Sequence, residues 1–200
     1  KLDVLMIGDS VSVRSIPYFQ ERFPHGAIDA AVNRQIYVGQ EVYDSYRDQG
    51  LVGGIVVLAL GTNGPATDGQ LDEIVADVGA DKQLWLVNTR SPQDWVSYTN
   101  DVLASAAERY GNVHLIDWFG ASSGRDELFD GDGTHLTEEG AHVYVDLVYD
   151  AVADYLPQHA DDAAQPTVQT SADLALAEIA GAYRSALDAA SRNLLGPIGR

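Results

Sequence analysis

The sequence predicts an α/β domain in three layers, a five-stranded parallel sheet doubly wound with helices on both faces. Three observations predict it. Short apolar runs alternate with helix-periodic segments from residue 2 to about residue 156, the pattern of strand–helix–strand units. The longest apolar run, GIVVLALG, has the length of a strand and falls far short of the roughly 18 apolar residues of a membrane span. Two hundred residues, 46% of them apolar, suffice for one good-sized core, so a single domain with an appendage is expected.

Taken in order, the strands are LDVLMI at 2–7, IDAAV at 28–32, IVVLAL at 55–60, LWLVN at 84–88 and VHLID at 113–117. Helices are expected between them and after the last, at about 11–22, 39–49, 68–78, 95–109 and 138–156. In such a sheet the ligand and catalytic positions gather at the carboxyl ends of the strands. The domain therefore spans 1–156. Beyond it, PQHADDAAQPTVQT is polar, Pro-containing and aperiodic, and 157–170 reads as a linker. A further helix is expected over 171–195, where Ala172, Leu176, Ile179, Tyr183, Leu187, Ala190 and Leu194 form one apolar stripe.

Composition excludes some functions. Thirty acidic residues against 12 basic ones leave a formal charge of −18, which argues against nucleic acid or an anionic membrane as partner. A neutral, cationic or carbohydrate partner suits that surface. With no cysteine, thiolate chemistry and disulfides are excluded. The opening KLDVLMIGD runs straight into a strand, with no initiating methionine and no signal-peptide pattern, and reads as a piece of a longer protein.

The chemistry lies at three strand or loop ends. Gly8-Asp9-Ser10 follows the first strand, placing a serine hydroxyl at the sheet edge and its amide at a helix start; either Asp9 or Ser10 is also a natural helix cap. Gly61-Thr62-Asn63-Gly64 leaves the third strand at the same edge, and the Asn63 amide is a candidate oxyanion donor, although an Asn-Gly pair also serves as a plain turn. In DGDGTH, Asp132 and His135 meet across one tight turn, so the carboxylate accepts from Nδ1 and leaves Nε2 to take a serine proton. Asp130 is a less well-spaced alternative to Asp132. His25, His114, His142 and His159 are read as structural or solvated, and no metal-ligand spacing accompanies the site.

These three blocks, in this order and at these strand ends, resemble the motif blocks of the SGNH (GDSL-type) hydrolases, over about residues 2–156. The resemblance implies a flavodoxin-like sheet, Ser10 as nucleophile, His135 as base and Asp132 as its orienter. It implies an oxyanion hole from the Ser10 amide, Asn63 and the second block, where this chain has VNRQ in place of the common glycine and Asn33 offers its backbone N–H. Gly64 also replaces the usual aspartate after Asn63. With VNTRSPQDW at 87–95 and DGTHLTEEGA at 132–141, these departures are similar to the extracytoplasmic C-terminal SGNH domain of membrane-bound O-acetyltransferases of the bacterial cell wall. That likeness implies acetyl transfer through acetyl-Ser10 to a cell-wall glycan hydroxyl, with an acetyl donor and a fused membrane acyltransferase domain as partners, no cofactor and no metal, and a place on the outer face of the cell membrane. Arg90 and Trp95 are expected as glycan contacts. An esterase or deacetylase using water alone is the alternative, and an inactive carbohydrate-binding domain a further one. Retention of nucleophile, base, orienter and oxyanion donor together argues against the last.

Overall fold

In the computed structural model, which describes residues 1–159, five parallel strands lie in the order β2-β1-β3-β4-β5. They are β1 Leu2–Gly8, β2 Ala27–Ala30, β3 Val52–Ala59, β4 Gln83–Val87 and β5 Val113–Ile116. Side chains alternate across each strand. Val4 and Met6 of β1 enter one core layer, while Leu5 and Ile7 enter the other, and all four are fully buried.

Helices cover both faces. The first layer holds α1 Ser10–Val13, α2 Ile16–Arg22, α6 Trp118–Ala121 and α7 Glu138–Val152, packed through Phe19, Trp118, Tyr144 and Val148. The second holds α3 Ile36–Asp48, α4 Asp68–Val78 and α5 Val96–Arg109, packed through Tyr43, Leu71, Ile74 and Leu103. Chain reversal of this kind, with β1 flanked by β2 on one side and β3 on the other, makes a topological switch point between β1 and β3. Residues Lys1–Pro157 form one compact unit.

Local differences from the expected elements have local causes. The helix expected at 11–22 is two helices, because Pro17 lacks an N–H and its ring would clash with the carbonyl four residues back; it sits instead in the first turn of α2. Strand β2 ends at Ala30, and Val32 beyond it is 45% exposed. Helix α3 starts three residues early, at Ile36, whose buried side chain anchors its first turn. Helix α7 stops at Val152 and tightens into a 3-10 turn over Ala153–Tyr155. The linker residues after 159 and the apolar stripe at 171–195 lie outside the described residues.

Candidate active site

Asp9 and Ser10 divide the two tasks open to the first block. Asp9 caps α1, its Oδ1 accepting the Val11 N–H at 3.0 Å. Ser10, the first residue of that helix, keeps its hydroxyl for the cleft, where Oγ lies 3.0 Å from His135 Nε2. Burial pushes the Asp9 carboxyl up to about 6, against the opposing pull of the Val11 N–H, Thr62 and the His135 ring.

His135 and Asp132 share a single turn. The loop carrying them is closed at its base by an antiparallel bridge between Phe129 and Leu136 and by the Asp130 N–H donating to the His135 carbonyl at 2.7 Å. Gly133, at φ +67°, supplies the left-handed residue that the turn requires. Asp132 Oδ1 accepts the N–H groups of Thr134 and His135, at 2.9 and 3.0 Å, while Oδ2 meets His135 Nδ1 at 2.5 Å. Partial burial alone would raise the Asp132 pKa; the His135 ring and the two backbone donors outweigh it and hold it at about 2. The carboxylate is therefore ionised at working pH. It fixes the Nδ1–H tautomer, and Nε2 then faces Ser10 as acceptor. Asp130 points away and pairs with Arg14 at 3.3 Å.

The other two blocks meet beside this row. Asn63 Nδ2 donates to the Arg34 carbonyl at 3.3 Å, tying the loop after β3 to the loop after β2. Asn33, one residue earlier, has φ +61°, a left-handed conformation that asparagine tolerates better than most residues. Thr62 and Thr89 join the loops after β3 and β4 through their hydroxyls at 2.7 Å.

The Arg90 and Trp95 side chains both make hydrogen bonds inside the chain. The Arg90 guanidinium is bonded to the Ser122 carbonyl and to Asp126, and lies 4.5 Å over the Phe129 ring. Its polar reach is thus used inside the chain, as a strut behind the Asp132–His135 loop. Trp95 donates its indole N–H to the Gly61 carbonyl at 3.2 Å, and its ring remains partly exposed at the start of α5. His142 packs on Tyr18 and His114 on Trp85, both away from Ser10. Arg34 went unnoticed in the sequence, although an arginine five residues after the lone aspartate of an apolar strand is a readable signal.

The fold is that of the SGNH-type hydrolases, and the site sets a serine, a histidine and an aspartate in one hydrogen-bonded row. The chain is homologous to a segment of peptidoglycan O-acetyltransferases. It is 40% identical over 142 residues to peptidoglycan O-acetyltransferase OatA of Listeria monocytogenes, covering 71% of this chain. To O-acetyltransferase OatA of Staphylococcus aureus it is 39% identical over 149 residues, covering 74% of this chain. The matched stretch is only 22% and 24% of those two proteins. In structure it resembles the C-terminal catalytic domain of Streptococcus pneumoniae peptidoglycan O-acetyltransferase A, with a TM-score of 0.70 and 24% identity over 77% of this chain and 95% of that one. It also resembles a lipase/acylhydrolase of Enterococcus faecalis, with a TM-score of 0.64 and 17% identity over 78% and 98% of the two chains. No protein-family model matches the chain.

Proposed function

We propose that this chain is the acetyl-transferring domain of a cell-wall O-acetyltransferase, with Ser10, His135 and Asp132 as its triad. The observation that carries the reading is the continuous row from Ser10 Oγ through the His135 ring to Asp132, on a chain 40% identical over 142 residues to a segment of a peptidoglycan O-acetyltransferase. Ser10 Oγ attacks the acetyl carbonyl carbon and its proton passes to His135 Nε2. The oxyanion is held by the N–H groups of Ser10 and Asn33 and the Asn63 amide. Collapse of the tetrahedral species releases the donor alcohol, which takes the proton from His135 and leaves acetyl-Ser10. A sugar hydroxyl, giving its proton to His135, then attacks that ester and restores Ser10.

A groove of about 560 Å³, lined by polar Ser91, Gln93 and Asn100 and apolar Val96, Leu115 and Phe119, offers room for a sugar acceptor, and its Ser91 hydroxyl meets Thr134 of the Asp132–His135 loop at 3.3 Å. In this reading Trp95 offers its ring to the glycan and Arg90 acts through the loop it braces. An acetyl donor and a fused membrane acyltransferase part are the partners of this reading, and the domain works on the outer face of the membrane. Among the described residues no helix is long and apolar enough to cross a membrane.

The test is a chromogenic acetyl ester with and without muropeptides or chito-oligosaccharides, the sugars being weighed by mass spectrometry. An oriented acceptor gains several kcal/mol over diffusing water, so acetyl should move to the glycan, and Trp95→Ala should lower transfer more than hydrolysis. Ser10→Ala should abolish both. Free acetate as the sole product with every acceptor would make the domain an esterase.

A further inference from the structure

We propose that Arg34 is the positioning residue of the oxyanion hole, holding the Asn33 turn and the Asn63 amide in one frame with the nucleophile. The proposal rests on the hole assigned above. Arg34 is a charged side chain only 8% exposed, and burying a guanidinium among strands costs more than burying an apolar group of like volume. Its bonds show what that burial secures. Nη1 donates to the Gly8 carbonyl at 3.1 Å and to the Asp29 carbonyl at 2.5 Å, and Nη2 to Asp29 Oδ1 at 2.6 Å. Asp29 is steadied in turn by the Tyr46 hydroxyl, which donates to Oδ2 at 3.3 Å.

Gly8 lies two residues before the nucleophile, Asp29 sits near the end of β2, and the Arg34 carbonyl receives Asn63 from the loop after β3. One residue therefore ties together the three segments that supply the hole. Asn63 has two amide protons; the one given to Arg34 fixes the plane of the group and directs the other. Asn33, immediately before Arg34, holds its left-handed backbone next to that anchored side chain. A planar fork is required for such a task. Lysine carries the charge but not the fork.

The experiment is steady-state hydrolysis of a chromogenic acetyl ester by Arg34→Lys, Asp29→Asn, Asn63→Ala and the two double variants with Asn63→Ala, alongside their melting temperatures. A displaced hole costs turnover and not ground-state affinity. Arg34→Lys should lower kcat by about 10–10²-fold with KM nearly constant. Because Arg34 acts partly through Asn63, the loss in the double variant should be smaller than the product of the single losses. A full product, or wild-type kcat in a destabilised Arg34→Lys, overturns the role of Arg34 while leaving the hole intact. Unchanged kcat in Asn63→Ala overturns the hole itself, and this proposal with it. Should Arg34→Lys fail to fold, Asp29→Asn carries the same cycle; unfolding of both would make the pair a stability element and overturn the proposal.

Discussion

Two aspartates at the site respond to acid in opposite senses. Asp9, 1% exposed, is held at about 6 by burial, well above its ordinary 3.8, so the folded chain binds more protons than the unfolded one between those values. Stability from this residue therefore declines as pH rises from about 4 to about 6. Asp132, held at about 2, works the other way, and its contribution disappears as pH falls from about 4 towards 2. Asparagine at position 9 keeps the cap oxygen for Val11 and removes the titration. Asp9→Asn should thus flatten the decline between about pH 4 and 6 in urea-melt stability, leaving the acid limb below pH 4 in place; a wild-type slope in the variant would assign that decline elsewhere.

Helix α7 begins where the catalytic loop ends, and its first turn is closely held. Thr137 caps it by accepting the Gly140 N–H at 3.1 Å, while its own hydroxyl donates to the Glu127 carbonyl at 3.0 Å. A Cβ on Gly140 would stand 2.0 Å from the Leu128 carbonyl oxygen, a backbone atom that cannot swing away. Gly140→Ala should therefore cost about 1–3 kcal/mol in stability and, by shifting the Asp132–His135 turn that precedes the helix, reduce kcat as well. A thermal melt and an ester assay on the same sample check both. That close contact was not legible in the sequence, where Gly140 reads as an ordinary helical residue. The strands, the three motif blocks and the Asp132–His135 pairing were legible, because period, order and i,i+3 spacing are local properties. The partners of Arg90 were not, since Ser122 and Asp126 lie on later elements that only the assembled fold brings near; of the partners of Arg34, Asp29 is near in sequence and Gly8 is not.

For the molecule as a whole, charge is the dominant electrostatic fact. Even if each of the 12 basic residues held a partner, 18 acids would remain uncompensated, so self-repulsion outweighs the exposed ion pairs that salt would weaken. Raising ionic strength from about 0.01 M to about 0.1 M shortens the Debye length to about 10 Å. The melting temperature should rise by about 2–4 °C for each kcal/mol of repulsion screened, and a fall on adding salt would show that the ion pairs matter more.

Ser10 and His135 stand 125 positions apart along the chain yet share one hydrogen bond. Between them lie all four of the remaining strands. On the proposed reading, the domain's nucleophile is therefore made well before the base that would activate it. The row that joins them can form only once the 130–135 turn lies against the completed sheet edge.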